Sequence, residues 1–407
     1  MAAELIEGGI TTPAGFTAAG VYCGIKKPNP ATHPLDLCLI ASTNGPVPSA
    51  AVFTTNLAVA APVIVSREHL KRAQGLCAGA VINSGCANAC TGDAGMAVAK
   101  GMAGAAAAAL GVGDEFIFVS STGVIGVPLS LEKVRNGIAD AKATLSVDGG
   151  PNAARAIMTT DPFPKSCAAV METPKGRITV GGITKGSGMI EPRMATMLGF
   201  LTTDARVAPD VLQTALRRVC DETFNAITVD GECSTNDCVL LMASGASGIE
   251  ITDPTDPALI EPLTAVAGHL AREIVRGGEG ATKLVTIRVT GAESLADARL
   301  AARTIANSPL VKTAIHGGDP NWGRLIASAG RSGAQFVLNQ ASVRIGDVDL
   351  FVKGVPYDER SEAAATVLEN AQMVITVDLG TDGTHEATMW TCDFSAEYVK
   401  INAEYRT

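Results

Sequence analysis

Two spacings of apolar residues alternate along the chain: the three-and-four period of amphipathic helices and the short runs of buried strands. Helical spacing covers residues 94–110, where small side chains permit close packing, and 129–143, with Ser130 as N-cap and Glu132 and Lys133 in the first turn. It returns at 209–224, at 257–275 just before Gly277-Gly278, and at 295–307, while Asn152 is placed to cap a further helix ending near Thr159. Short apolar runs predict strands at 115–120, ending in Ser121-Thr122-Gly123, and at 166–171 and 178–183 about a turn at Pro174-Lys175-Gly176. More strands are expected at 194–203, 239–242, 283–289, 343–352 and 373–379. The uncharged stretch 37–66 is broken by Asn44, Gly45, Pro46, Pro48 and Pro62, so it reads as strands and turns and not as a membrane span. Helices and strands mix without the regular alternation of a doubly wound sheet. Layers of largely antiparallel sheet covered by helices fit better, an α/β (α+β) class.

Composition sharpens this picture. With 407 residues, 47% of them hydrophobic and 18% charged, the chain can bury a large core and has room for roughly two or three domains, or one large one with a lobe. The net charge is −9 and the cations are scattered, which argues against nucleic acid and anionic membranes as partners. Met1 to Leu5 lacks the basic start of a signal peptide, and Glu4, Glu7 and Gly8-Gly9 break any apolar core, so the cytoplasm is expected. The ten cysteines then read as small buried hydrophobes. Neither Cys86 with Cys90 nor Cys233 with Cys238 has zinc-type spacing, and none of the five histidines is near them, so no metal is expected.

The densest run of unusual residues is 181–198, GGITKGSGMIEPRMATML. Its lysine precedes the Gly-Ser-Gly, which is not the order of a phosphate-binding loop, and a surface turn before a strand would account for the glycines. Ala195-Thr196 adds chemistry. A threonine hydroxyl can attack the carbonyl before it, a small preceding residue leaves room, and the resulting ester can be hydrolysed. The freed α-amine, with a pKa of about 7.7–8.0, could then serve as general base beside the same hydroxyl. No histidine triad is needed, and none is recognisable here.

The stretch 185–205, KGSGMIEPRMATMLGFLTTDA, resembles the cleavage-site signature of the ornithine acetyltransferase family, the ArgJ proteins of arginine biosynthesis, also called glutamate N-acetyltransferases. The likeness runs along essentially the whole chain. It includes Gly8-Gly9-Ile10, Ala18-Ala19-Gly20-Val21, 83–92 (NSGCANACTG), Thr228-Val229-Asp230-Gly231 and Ser234-Thr235-Asn236-Asp237. It continues through 278–283 (GEGATK), 316–324 (HGGDPNWGR) and the terminal 401–407 (INAEYRT). The resemblance implies a layered αββα-type sandwich with a smaller C-terminal lobe. It also implies self-cleavage between Ala195 and Thr196 into chains 1–195 and 196–407, paired as α2β2. Thr196 matches the family's nucleophile, and Thr122 and Gly123 its oxyanion hole. Thr159, Lys185, Thr196, Glu279, Asn402 and Thr407 match its substrate-binding set.

The implied reaction carries acetyl from N2-acetyl-L-ornithine to L-glutamate through an acetyl-Thr196 ester, with no cofactor. Part of the family also takes acetyl from acetyl-CoA, for which this sequence carries no readable motif. The rivals are an N-terminal-nucleophile amidohydrolase or aminopeptidase, and a non-catalytic amino-acid-binding protein that would stay uncut. His316 and Asp319 form a tempting pair, here read as structural. Cys86, Arg193, Cys233 and Cys238 depart from residues usual in the family, none at a matched catalytic position.

Overall fold

The computed structural model describes residues 2–29, 34–191 and 197–404. The chain divides into two compact units, Met1–Asn225 with Cys233–Ile274, and Ala226–Glu232 with Val275–Arg406. This division does not follow the expected chain boundary at 195/196, which falls inside the first unit.

The first unit is built on two sheets. The smaller has four strands in the spatial order Phe16–Val21, Leu37–Ser42, Gly79–Cys86, Ile117–Val124. Its strands are apolar on both faces, and their period of two divides the side chains cleanly. Cys38, Ile40, Ala80, Ile82 and Phe118 face a core shared with Ile183, Leu198, Phe200, Leu240 and Met242 of the larger sheet. Leu37, Leu39, Val81, Ile117 and Val119 face outward against two helices, Gly92–Leu110 and Leu131–Ala143. Alanines and Met102 on the first helix, and Val134 and Ile138 on the second, fill that outer layer.

The larger sheet has seven strands, ordered Glu4–Ile6, Lys165–Thr173, Gly176–Lys185, Leu198–Thr203, Cys238–Ala243, Val47–Phe53, Leu76–Cys77. Helix Pro257–Arg276 lies on its far side: the Cys167 thiol reaches the Val266 carbonyl at 3.7 Å, and Leu270 occupies the space above Gly182. Gln213, on helix Pro209–Glu222, bonds through its side-chain amide to both N and O of Ala51, at 3.3 and 3.1 Å. The layers are therefore helix, sheet, sheet, helix, the αββα arrangement expected.

The second unit holds one six-stranded sheet, ordered Val355–Pro356, Val348–Val352, Ser342–Ile345, Gln372–Asp378, Leu284–Ala292, His385–Cys392. Its core joins Val285, Ile287, Val289, Ile375 and Val377 to Ala298, Ala302 and Ile305 of helix Leu295–Ala306 and to Leu325 of helix Trp322–Gly330.

Several expectations need correction. Residues Ala61–Arg72 are a helix and not part of a strand-and-turn stretch, because Pro62 sits in the first turn, where its missing N–H costs nothing. The run 343–352 is a hairpin of two strands folded at Gly346, whose φ is +56°. Asn152 lies inside helix Gly150–Ala156 and does not cap it. The strand from Ile117 runs through Ser121-Thr122-Gly123 to Val124. The part of the expected strand at 194–196 lies outside the described residues.

Phe200 is 1% exposed at the centre of the shared core. Replacing it with alanine is expected to lower unfolding stability by about 3–5 kcal/mol, read from the midpoint shift in urea.

Candidate active site

Thr122 and Gly123 stand where two parallel strands pinch together. Thr122 pairs with both Ser84 and Cys86 across a bulge, and Gly123 pairs with Gly85. Both glycines have positive φ, +126° for Gly123 and +102° for Gly85. A Cβ on Gly123 would fall 2.4 Å from the Gly85 carbonyl carbon, so the crossing requires glycine. Two asparagines hold the bulge from below. Asn83 donates to the Cys86 carbonyl at 2.9 Å and accepts from the Ser121 hydroxyl at 2.6 Å. Asn236 donates to the Ala87 carbonyl at 2.6 Å and the Ser121 carbonyl at 2.9 Å.

Lys185, the last residue of its strand and 8% exposed, points its ammonium at this strand end and donates to the Thr122 hydroxyl at 3.3 Å. The residue after it is anchored by Asp161, whose carboxylate accepts from the Gly186 N–H at 2.7 Å, the Lys165 ammonium at 2.6 Å and the Thr159 N–H at 3.0 Å. Asp161 thus connects Thr159 to the Lys185 loop. Burial pushes the Asp161 carboxyl up, but Lys165, Lys185 and the hydrogen bonds outweigh it and lower the pKa to about 2. The Asp161–Lys165 pair is accordingly a buried ion pair, with both side chains fully enclosed.

The second unit carries Glu279 and Asn402, which meet directly: the Asn402 amide donates to the Glu279 carboxylate at 2.9 Å. Asn402 lies on helix Ala396–Glu404 and also donates to the Tyr398 carbonyl. The Tyr398 hydroxyl donates to Asp230 at 3.1 Å. Burial, and then the charge of Asp230, push the Tyr398 phenol upward, so it remains a donor. Glu279, Asp230 and Glu232 all act on that phenol, which makes this an acidic cluster able to meet an ammonium group.

Thr122 and Lys185 are thus in contact, Thr159 is linked to them through Asp161, and Glu279 and Asn402 form a pair in the other unit. Ala195, Thr196, Thr407 and Arg193 lie outside the described residues. His316 does not pair with Asp319. Its Nδ1 lies 2.7 Å from Asp393, which also gathers the Thr282 N–H and hydroxyl and the Lys283 N–H. That buried carboxylate braces the turn after Glu279, the structural role expected of this segment. Cys86 and Cys238 are enclosed, and burial raises both thiols, Cys238 to about 12, so neither is a ready nucleophile. Asp161, Asn83 and Asn236 carried no assigned role in the sequence reading. The Asp161–Lys165 pair lies on a loop and a strand start, where a spacing of four carries no signal, and most of the asparagine contacts reach residues distant in the chain.

Two outcomes follow. Gly123→Ala is expected to open the pinch and cost both thermal stability and activity, while a neutral result would show that the strand end tolerates a side chain. Asp161→Asn leaves Lys165 charged and unpaired, and should cost about 3–5 kcal/mol at neutral pH. The lowered carboxyl stabilises fully above about pH 4 and loses this as pH falls toward 2. The melting-temperature gap between wild type and Asp161→Asn should therefore shrink across that window.

Comparison with known proteins shows the family. The model of the ArgJ family matches residues 17–407. The arginine biosynthesis bifunctional protein ArgJ of Symbiobacterium thermophilum is 50% identical over 407 residues, covering 99% of this chain and all of that protein. The crystal structure of the ArgJ protein of Bacillus halodurans is 41% identical and covers 52% of this chain and 100% of the solved one, with a TM-score of 0.50. A structure of ornithine acetyltransferase from Mycobacterium tuberculosis, complexed with ornithine, is also 41% identical and covers 47% of this chain and 100% of its own, with a TM-score of 0.43. A family match over nearly the whole length, together with half-identical sequence in a full-length relative, establishes that this chain belongs to the ArgJ family.

Proposed function

We propose that the chain is a self-cleaving acetyltransferase that moves acetyl from N2-acetyl-L-ornithine to L-glutamate. The cut separates residues 1–195 from 196–407 and frees the α-amine of Thr196. The Thr196 hydroxyl attacks the acetyl carbon and passes its proton to that amine. Thr122 and Gly123 hold the oxyanion. The carbon–nitrogen bond breaks, and ornithine leaves with the proton. The glutamate amine then attacks the acetyl-Thr196 ester and carries the acetyl group away. Thr159, Lys185, Glu279, Asn402 and Thr407 are assigned to substrate binding, Lys185 to a carboxylate and Glu279 to an ammonium.

The observation that carries this reading is the contact of Lys185 with Thr122 at the strand end where Gly123 crosses Gly85. One further feature supports it. After a cut at 195/196 the pieces would remain interleaved, because Leu198–Thr203 pairs with Gly176–Lys185 of the first piece, and Cys238–Ala243 with Val47–Phe53. Assembly as α2β2 is part of the same proposal. A cytoplasmic setting is too, and it suits ten unpaired thiols. Among the described residues no helix is long and apolar enough to cross a membrane.

Mass spectrometry of the purified protein should find two fragments, the second starting at Thr196, and Thr196→Ala should remain one chain. Ornithine release from acetylornithine should require glutamate for sustained turnover. Release indifferent to glutamate would point to a hydrolase. Glutamate acetylation with acetyl-CoA alone tests whether the word bifunctional in the relatives' name extends to this chain.

A further inference from the structure

The two substrates of the proposed reaction share an α-carboxylate but differ at the far end. Acetylornithine ends in an ammonium, glutamate in a second carboxylate. The charged residues assigned so far are one cation, Lys185, and one anion, Glu279. Glu279 suits the ammonium and repels the second carboxylate. The acceptor half of the reaction therefore calls for a further cation.

Lys26 stands at the strand end that carries Thr122 and Gly123. A Cβ on Gly85 would fall 3.0 Å from Lys26 Cγ and 3.2 Å from Ile25 Cγ2, so the lysine stem lies over the glycine that pairs with Gly123. Backbone bonds hold it there. The buried Asp36 carboxylate accepts from the N–H groups of Cys23, Ile25 and Lys26 at 2.6, 2.7 and 3.0 Å. The Asp36 carbonyl accepts from the N–H of Ser84 at 2.9 Å, and Ser84 pairs with Thr122. Asp36 thus fastens the loop 23–26 to the same pair of strands.

The Lys26 side chain is half-buried, and its ammonium donates to the Leu35 carbonyl at 2.7 Å. An ammonium has three donors, and among the described residues no second partner takes the other two. Asp36, Asp161 and Lys185 are the charged groups that act on it. Neither carboxylate is bonded to it, because Asp36 is occupied by three N–H groups and Asp161 by Lys165. Lys26 and Lys185 are therefore two neighbouring cations with no carboxylate bonded to either, a setting that an incoming carboxylate relieves. Burial lowers the Lys26 pKa to about 8; the charge of Lys185 adds to this, and those of Asp36 and Asp161 oppose it.

We propose that Lys26 is a specificity-determining residue of the acceptor half-reaction, its ammonium binding the second carboxylate of glutamate beside the strand end of Thr122 and Gly123. The inference rests on the proposed transfer to glutamate. Acetylornithine has no such carboxylate and does not call on Lys26.

Because acetyl passes through an enzyme-bound ester, the two halves can be measured apart, as the ornithine burst without glutamate and as the KM for glutamate at saturating acetylornithine. Lys26→Met keeps a stem over Gly85 and removes the charge. It should raise the glutamate KM about tenfold or more, far beyond any change in the burst, and narrow the preference for glutamate over glutamine. Lys26→Arg, charged throughout, should restore binding. The wild-type glutamate KM should rise as pH passes about 8 and Lys26 loses its proton, and Lys26→Arg should lack that rise. Melting curves check that both variants fold. A wild type with no burst and no glutamate-dependent turnover defeats the proposed function itself. With those present, a folded Lys26→Met that keeps the glutamate KM, or that loses burst and binding in the same proportion, defeats only the role of Lys26. Should Lys26→Met not fold, the wild-type profile decides: a glutamate KM that is flat or falling between about pH 7 and 9 overturns the proposal.

Discussion

The hydrogen-bonded ladder through Gly176–Lys185, Leu198–Thr203 and Cys238–Ala243 is the constraint on which the rest of this molecule depends. It is central in its sheet, buried on both faces, and it joins the segment before the proposed cut to the segment after it. The antiparallel register sets Lys185 opposite Leu198, and the parallel register sets Leu198 opposite Cys238. A slip of one residue would turn Phe200 and Leu240 out of the shared core. The cost of losing that burial therefore also fixes where Lys185 and Asp237 stand.

On this frame, and among the described residues, buried polar side-chain atoms have partners apart from Asp237 Oδ2 and Thr264 Oγ1. Asp161 is the clearest case. It neutralises Lys165, accepts from the loop after Lys185, and thereby turns an expensive buried charge into a brace for the site. Asn83 and Asn236 do the same for neutral groups, satisfying carbonyls that a bulge would otherwise strand. Each of these contacts also spares the interior an unpaired dipole.

What was legible in the sequence was mostly local. Ser130 caps its helix, accepting from the Lys133 N–H at 3.4 Å, and the helix Pro209–Glu222 follows its apolar spacing closely. Strand pairing was less visible, because it depends on partners distant in the chain. The Gly85–Gly123 pinch joins two turns of sequence that look ordinary separately. Helix Ala61–Arg72 was hidden by a proline that elsewhere would end a helix. The family likeness singled out Thr122, Gly123, Lys185, Glu279 and Asn402; in the structure Thr122 contacts Lys185 and Glu279 contacts Asn402. It gave no role to Asp161, whose significance lies in what surrounds it.

The amide of Gln213 has a consequence beyond stability. It imitates a neighbouring strand along the open side of Val47–Phe53, where the sheet would otherwise offer unpaired backbone beside the two-residue strand Leu76–Cys77. At the opposite margin the sheet ends in Glu4–Ile6, only three residues long. Neither margin leaves a template on which a second molecule could add a strand. This largest sheet thus limits its own growth by strand addition at both margins.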